Sequence, residues 1–303
     1  MNGFTEVDVV DQSGKCFLVT GANSGLGFEA TRVLAARGAR VLLACREQAK
    51  AEAAIERIKQ ITPRADLVFV PYDQADLDSV RSAVELIGRE PRIDVLVNNA
   101  GLLFPLLTRT KQGFELQFGV NYLGCFALTA LLLPKLAQTK NARVVVTSSI
   151  GHRNGKIDWD DINAEKSYNA MQRYYDSKLA VALFMLELDR RLRAAHSTVI
   201  AVGCHPGVAA TRLGQYSKAA AMMLWALRPI SNSAREGAWA TLQAATDEVI
   251  PAGYYGPIGF HEYWGASGPA SRTRQAKDPR LARRLWDISV AMTGIDPGLP
   301  PVC

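Results

Sequence analysis

The sequence predicts an α/β fold in which helices cover both faces of one doubly wound parallel sheet, built as a single domain over residues 1–303. Short apolar runs with strand character alternate with segments of helical periodicity, and the connections between them are short. This alternation predicts parallel strands joined by right-handed crossovers. No internal repeat or linker divides the chain.

Composition agrees with a folded domain that has a large core. Hydrophobic residues make up 48% of the chain and charged residues 21%, which argues against global disorder. The formal net charge is +6, but the basic residues are dispersed and no basic run interleaves with aromatics. Nucleic-acid binding is therefore not expected. A modest positive charge would suit an anionic cofactor or substrate, and solubility alone would explain it as well.

Cysteines and apolar runs bear on metals, disulfides and membranes. None of the five cysteines forms a C-x-x-C pair, and no histidine cluster accompanies them. The sequence therefore predicts no metal site and no disulfide framework. The N-terminus is polar and acidic, unlike a signal peptide, and the most membrane-like run, residues 122–133, is too short to span a bilayer. We therefore expect no integral membrane segment and a cytoplasmic location.

The first strand run, residues 15–20, leads directly into a glycine-rich turn, and a helical pattern follows the turn. In this setting glycines let the backbone approach a pyrophosphate, and the helix N-terminus offers free N–H groups and the positive end of its dipole. The alternative is a tight turn that merely uses three glycines. The predicted dinucleotide contacts in this turn are Gly21, Asn23, Ser24, Gly25, Leu26 and Gly27.

The second strand run, residues 41–45, is followed by Arg46. An acid near the end of this strand binds the ribose 2′-hydroxyl of NAD, whereas an arginine accommodates the 2′-phosphate of NADP. Arg46 therefore favours NADP(H) over NAD(H). Two points weaken this preference for NADP(H). Arg46 could be a surface residue that opens the next helix, and Ser24 rather than a basic residue precedes Gly25.

Polar or small residues follow four further strand runs. These are Asp73 and Gln74 after residues 67–70, Asn98 to Gly101 after residues 93–97, Ser148 and Ser149 after residues 143–147, and His205 to Val208 after residues 199–204. Ligands of doubly wound sheets bind beyond the carboxyl ends of the strands, so a serine at the end of the run 143–147 is expected to face that cleft. Alternatively, the asparagines form only a turn and the serines only end a strand.

Tyr174 and Lys178 lie at positions i and i+4 of a predicted helix, so their side chains share one face. A neighbouring ammonium favours the phenolate and lowers the pKa of a tyrosine from its usual value near ~10. Such a tyrosine can exchange a proton with an alcohol or carbonyl oxygen at neutral pH. Alone, the pair is also typical of an amphipathic helix edge with a solvated lysine.

The G-x-x-x-G-x-G spacing of the turn, followed in order by Tyr174 and Lys178, resembles the short-chain dehydrogenase/reductase family. Residues 157–163 and the Y-Y-D-S-K-L-A run of residues 174–180 resemble the retinol-dehydrogenase-like branch of that family and related bacterial oxidoreductases. The likeness covers residues 15–211 and continues more weakly to about residue 294. It implies a single Rossmann-type domain that binds a nicotinamide dinucleotide.

The resemblance also implies roles for four residues in catalysis. Tyr174 would be the acid/base, and Lys178 would lower its pKa and hold the nicotinamide ribose. Ser149 would hydrogen-bond the reacting oxygen. Asn121, in a long helix predicted over about residues 113–138, would order a water that relays protons to Lys178.

Further residues would hold the cofactor by the same resemblance. Asp73 would bind the adenine, and the loop from His205 onward would close over the nicotinamide amide. The other implied contacts are Gln74, Asn99, Ala100, Gly101, Pro206, Gly207, Val208 and Thr211. His205 itself is expected to be structural, since Tyr174 already supplies the acid/base.

Apolar segments are predicted to surround the nicotinamide, namely residues 102–107, 216–227 and 260–264. The family keeps a substrate lid at about residues 208–230, and a C-terminal extension would follow over about residues 252–303. The Met- and Trp-rich part of the lid could instead be a core helix or a contact within a homo-oligomer. The predicted pocket side chains are Leu103, Phe104, Tyr216, Met222, Trp225 and Tyr263.

The expected function is hydride transfer between NADP(H) and an apolar alcohol, ketone or aldehyde. An apolar pocket would disfavour a small acid, whose carboxylate would lose water without a clear cationic partner. A catalytically silent protein that only senses NADP would share the fold, but it need not keep the acid/base set. An epimerase or dehydratase acting on nucleotide sugars is disfavoured by the spacing of the glycines.

Overall fold

A computed structural model describes residues 3–209 and 231–302 of the protein. Over these residues the chain forms one mostly parallel sheet with the strand order β3-β2-β1-β4-β5-β6-β7-β8. The strands are β1 Cys16–Thr20, β2 Arg40–Cys45, β3 Asp66–Pro71, β4 Val95–Asn98, β5 Arg143–Thr147, β6 Ile200–Cys204, β7 Tyr254–Pro257 and β8 Ser267–Pro269. The predicted doubly wound parallel sheet is confirmed.

Helices connect the strands and cover both faces of the sheet. They are α1 Gly25–Ala36, α2 Gln48–Ile61, α3 Leu77–Ile87, α4 Leu116–Leu136, α5 Ala170–Ala194, α6 Ala234–Thr246 and α7 Pro279–Thr293. The helix predicted over residues 113–138 begins later, because the buried carboxylate of Glu115 accepts hydrogen bonds from the N–H groups of Gln117 and Phe118 and caps α4.

Alternation along the strands divides the core into two layers. In β1, the side chain of Leu18 joins a cluster with α3, α4, α5 and α7, whereas Phe17 and Val19 join a cluster with α1, α2 and α6. Successive residues of a strand point to opposite faces of the sheet. The strands are buried on both faces, and the polar ends that follow them are left at one edge, where a ligand can reach them.

Helix α4 is longer than the apolar run that led us to expect no segment able to span a bilayer. The helix spans 21 residues and is long and apolar enough to cross a membrane, although the apolar run at residues 122–133 looked too short. However, 89% of the most apolar window is buried inside the fold. Burial of that extent is what a core helix of a folded domain shows, so α4 is weak evidence for a membrane span.

The C-terminal segment adds two strands that the sequence did not predict. β7 pairs in parallel with β6, and β8 turns back antiparallel to β7, with Gly256 opposite Gly268. The backbone of Phe4 then pairs with that of Ser267 at the outer side of β8. The predicted lid lies almost wholly in residues 210–230, outside the described residues, together with Thr211 and the lid side chains Tyr216, Met222 and Trp225.

Candidate active site

The carboxyl ends of β1, β4, β5 and β6 meet at one edge of the sheet, where the predicted site residues follow them. The turn after β1 contains Gly21 with φ of 67° and Gly25 with φ of 56°, a region that favours glycine. A Cβ atom on Gly27 would lie 2.4 Å from the carbonyl oxygen of Gly21. Helix α1 therefore packs closely against the turn only because Gly27 has no side chain.

A cavity of about 500 Å³ extends from this turn across the ends of β2, β3 and β4. Helix α1 behind it begins at Gly25, and the side chain of its N-cap residue Ser24 makes no capping hydrogen bond, so the first N–H groups of α1 are left for a ligand. Eight of the predicted cofactor contacts line the cavity. They are Gly21, Asn23, Ser24, Arg46, Asp73, Gln74, Ala100 and Gly101. In shape and in its glycine turn the cavity fits the adenosine and phosphate part of a dinucleotide.

Two basic residues of the cavity wall were not predicted. Lys50 and Arg57 of α2 line the cavity together with Arg46, and the guanidinium of Arg57 lies 4.3 Å from the ring centroid of Phe28. Arg46 is largely exposed and lies 3.6 Å from the carboxylate of Glu47. Helical periodicity could have found Arg57, since it shares one face of α2 with Lys50 and Ala53, which also line the cavity.

Thr20 is a further residue that sequence reasoning missed. Its hydroxyl accepts hydrogen bonds from the backbone N–H groups of Asn99 and Ala100, and the Asn99 side chain donates to the carbonyl of Thr20 at 2.9 Å. Thr20 thus joins the turn after β1 to the turn after β4. Asn99 acts here as a support of the cavity wall, as does Gln74, whose amide donates to the carbonyl of Val120.

Ser149, Tyr174 and Lys178 come together at the ends of β5 and α5. The Lys178 ammonium donates to the carbonyl oxygen of Thr147 at 3.1 Å and lies 5.9 Å from the centroid of the Tyr174 ring. The Ser149 hydroxyl accepts from the N–H of Gly151 at 3.0 Å. A Cβ atom on Gly151 would lie 3.3 Å from the Tyr174 ring and 2.9 Å from the Tyr175 ring. The turn after Ser149 therefore fits closely against both tyrosines.

The pKa values at this site differ from the prediction. Burial raises the pKa of Tyr174 to about 12, and the hydrogen bond with Ser149 offsets only part of that effect. Burial also lowers the pKa of Lys178 to about 8. The predicted lowered pKa of Tyr174 is therefore wrong for this structure, because removal from water has the largest effect on the pKa of this group.

Asn121 lies in a π-helical segment, Gly119–Leu123, within α4. Such segments often occur at functional sites. Its side-chain amide donates to the hydroxyl of Ser177 at 2.9 Å and exchanges hydrogen bonds with the backbone of Leu102. A Cβ atom on Gly101 would lie 3.1 Å from Asn121 Oδ1 and 3.4 Å from Lys178 Nζ. Asn121 and Lys178 thus flank Gly101, while the water relay stays a prediction.

The loop after β6 lies on the other side of the site. Gly207 has φ of 72°, and the N–H of Val208 donates to the carbonyl of Tyr263 at 2.9 Å. Pro206 and Leu26 both contact Gly237 of α6, which places this loop beside the start of α1. His205 is fully buried, as its predicted structural role requires.

The loop after β4 supplies the apolar wall beside Tyr174. Leu103 is buried, and the ring of Phe104 meets the ring of Tyr174 edge-on with 5.5 Å between centroids. Tyr263 contacts the loop after β6 through its backbone carbonyl. Phe260, near it in the sequence, is 65% exposed. Over residues 3–209 and 231–302, no three His, Cys, Asp or Glu side chains group together in a way that could hold a metal ion.

The fold and this site define an oxidoreductase with a nicotinamide dinucleotide cofactor. A family model described as short chain dehydrogenase matches residues 15–221, so the chain belongs to the short-chain dehydrogenase/reductase family. Retinol dehydrogenase 14 of Mus musculus is 40% identical over 93% of this chain and 86% of its own length. Retinol dehydrogenase 12 of Homo sapiens is 37% identical over 94% and 88%. The predicted retinol-dehydrogenase-like branch is confirmed.

Solved structures show the same architecture. An uncharacterized protein from Mycobacterium Paratuberculosis matches with a TM-score of 0.82 and 36% identity over 99% of this chain and 100% of its own. A Pseudomonas aeruginosa RhlG complex with NADP has a TM-score of 0.63 and 22% identity, over 80% of this chain and 94% of its own. At that identity the second likeness shows the fold alone.

Proposed function

We propose that this protein transfers a hydride between NADP(H) and an apolar alcohol, ketone or aldehyde. The observation that carries the proposal is that Ser149, Tyr174 and Lys178 converge beside a cavity shaped for a dinucleotide. A bound nicotinamide would supply or accept the hydride, which is chemistry that the side chains lack.

The roles of the side chains follow from their protonation. With its pKa near 12, Tyr174 holds its proton at neutral pH and can donate it to a carbonyl oxygen as that oxygen gains electrons. Ser149 lies beside Tyr174 and can donate to the same oxygen. Lys178, with its pKa near 8, is mostly charged at neutral pH, so it stabilises negative charge on the phenolate that remains.

The cluster of Arg46, Lys50 and Arg57 supports the preference for NADP(H). All three side chains line the cavity, and Arg46 directly follows β2, whose end would meet the adenosine ribose. Three cations near a phosphate form stronger interactions than near a hydroxyl, because hydrogen bonds between charged partners are shorter and roughly twice as strong. Glu47 counts against the preference, since it pairs with Arg46 and Lys50.

An apolar substrate is supported by the wall at Leu103 and Phe104. Phe104 faces the Tyr174 ring, so a substrate whose oxygen reaches Tyr174 would lay its carbon skeleton along this wall. The names of the similar retinol dehydrogenases agree with a bulky apolar alcohol. A pocket of this kind would leave a small carboxylate without a cationic partner.

The test is catalytic efficiency across a series of aldehydes, ketones and alcohols of rising apolar size, followed through the nicotinamide absorbance with both cofactors. We expect efficiency to rise with apolar size and to be higher with NADP(H). The highest efficiency on a charged acid would contradict the apolar pocket. Tight NADPH binding without turnover on any compound would favour the alternative, a protein that only senses NADP.

A further inference from the structure

Three chain segments on the nicotinamide side of the site meet at one carboxylate, that of Glu262. The turn Ile150–Asn154 follows Ser149, the loop at residues 205–208 follows β6, and Glu262 itself ends the 3-10 turn Phe260–Glu262. Glu262 Oε2 accepts a hydrogen bond from Arg153 at 2.6 Å and lies 3.0 Å from His205 Nε2. Its Oε1 accepts from the N–H of Ser271 at 3.0 Å. Both carboxylate oxygens are thus engaged.

The hydrogen bonds of His205 fix its tautomer. The N–H of Gly207 donates to Nδ1 at 3.2 Å, so Nδ1 is an acceptor and Nε2 carries the proton that Glu262 accepts. The imidazole stacks on Tyr254 with 5.5 Å between centroids. A Cβ atom on Gly256 would lie 2.3 Å from Nε2, so the ring fits tightly between two residues of β7.

The backbone conformation around Glu262 supports a specific role for its contacts with Arg153 and His205. His261 has φ of 51° and Glu262 has φ of 64°, two successive non-glycine residues in the left-handed region. Such a backbone conformation costs free energy in a non-glycine residue and persists where the surroundings determine it. The next residue, Tyr263, accepts from the N–H of Val208. The strained segment therefore holds the loop at residues 205–208 at two points.

Glu262 has two branches of contacts, one through His205 to the loop at residues 205–208 and the other through Arg153 to Ser149. Arg153 donates to the Glu262 carboxylate and to the carbonyl oxygen of His261 at 3.2 Å. Arg153 belongs to the short turn that Ser149 begins, and the Ser149 side chain caps that turn. A shift of Arg153 would therefore shift the hydroxyl that meets the reacting oxygen.

We propose that Glu262 is a positioning residue that sets the distance between Ser149 and the loop at residues 205–208. It acts through Arg153 toward Ser149 and through His205 toward the segment Pro206 to Val208. The inference rests on the proposed function, in which Ser149 meets the substrate oxygen and the loop meets the nicotinamide. Glu262 itself touches neither the substrate nor the cofactor in this assignment.

The two branches predict separable effects on steady-state kinetics. Arg153→Met keeps the aliphatic stem and should lower kcat about tenfold with little change in the KM for NADPH. His205→Asn should raise that KM about tenfold with a smaller effect on kcat. Glu262→Ala should do both, and adding either other substitution to it should have little further effect, because one contact joins the two branches. Glu262→Gln should be intermediate, and Glu248→Ala, an exposed acid nearby in sequence, should resemble the wild type.

Amide hydrogen exchange of the intact protein without substrate provides a readout that does not depend on turnover. Glu262→Ala should speed exchange in residues 150–154 and in residues 205–208 together, whereas Arg153→Met should affect mainly the first segment. Additive kinetic effects, or unchanged exchange in both segments with Glu262→Ala, would overturn the positioning role. A wild-type protein that reduces no carbonyl compound but shows the expected exchange pattern would instead contradict the proposed function alone.

Discussion

The side chain of Asn121 and the backbone of Leu102 are joined by two hydrogen bonds in opposite directions. The N–H of Leu102 donates to Asn121 Oδ1 at 2.8 Å, and Asn121 Nδ2 donates to the carbonyl oxygen of Leu102 at 3.1 Å. A side-chain amide is the group that can accept and donate at once toward one residue. This pair fixes the loop after β4, and with it the apolar wall beside Tyr174, to the π-helical segment of α4.

Asn121→Ala should therefore cost both stability and activity. The substitution leaves the part-buried N–H and carbonyl groups of Leu102 without their partner, which costs about 1–3 kcal/mol in the free energy of unfolding. Turnover should fall as well, because Lys178 and Gly101 lie beside Asn121. Urea unfolding and kcat provide the measurements. Ser177→Ala removes the hydrogen bonds of the hydroxyl with Asn121 and with the carbonyl oxygen of Tyr174 but keeps the Leu102 pair, so an equal loss of stability in both variants would argue against this account.

Tyr174→Phe should lower turnover by ~10² to 10⁴ while leaving the affinity for NADPH nearly intact, because it removes only the proton donor. The matched control is Tyr175→Phe, since Tyr175 lies next to it and its ring packs 6.1 Å from that of Tyr174. Steady-state kinetics and a fluorescence titration with NADPH measure the two effects. Turnover like that of the wild type in Tyr174→Phe would rule out the proposed acid/base.

Arg46→Asp should reduce the ratio of catalytic efficiencies with NADPH and NADH by roughly tenfold or more, because a hydrogen bond to a charged group contributes about 1.5–3 kcal/mol. Arg57→Ala should act in the same direction, since Arg57 is a second arginine that lines the cavity. Arg64→Asp changes an exposed residue just before β3, at the opposite edge of the sheet, and controls for net charge. An unchanged ratio in both cavity variants would mean that other residues read the 2′-phosphate.

Acidification should destabilise the protein through His152. Burial lowers the pKa of His152 to about 4, although its Nδ1 bonds the carbonyl oxygen of Ser149. Because the unfolded chain has a pKa near ~6.5 there, it binds a proton first as the pH falls. The free energy of unfolding should therefore decrease between about pH 6.5 and pH 4, by up to about 3 kcal/mol from this group.

Chemical denaturation across that pH range tests the contribution of His152. His152→Gln should flatten the dependence, whereas His196→Gln, at an exposed position, should keep the slope of the wild type. Burial also lowers the pKa of His205, so some pH dependence should persist in His152→Gln. Identical slopes in the wild type and His152→Gln would contradict this assignment.

The strands from β1 to β6 and the site residues after them could be predicted from the sequence, because each strand is an apolar run that ends at a polar or small residue. β7 and β8 could not, since Tyr254–Pro257 contains a glycine and a proline and Ser267–Pro269 has three residues, too few to show a period. These strands form because β6 already offers an edge with which to pair.

The residues that support the site could also not be predicted from the sequence. Thr20 and Glu262 act through residues remote in the chain, and spacing along a sequence says nothing about such pairs. The i and i+4 spacing placed Tyr174 beside Lys178 correctly, but it could not show how far the fold removes the two side chains from water. The direction of the Tyr174 pKa depends on burial by segments that pack over the helix, which is a property of the folded molecule.

The pairing of Phe4 with Ser267 has a consequence for the order of events in folding. Two backbone hydrogen bonds, of 2.7 and 2.8 Å, join Phe4 to the first residue of β8, which lies far from it in the sequence. Closing so long a loop costs entropy that only a nearly complete sheet repays, so this bridge should form after the rate-limiting step. Phe4→Ala, which removes a buried ring at the bridge, should then speed unfolding and leave the refolding rate unchanged in stopped-flow experiments. The pairing of Phe4 with β8 would thus govern how long the folded protein lasts, with little influence on how fast it forms.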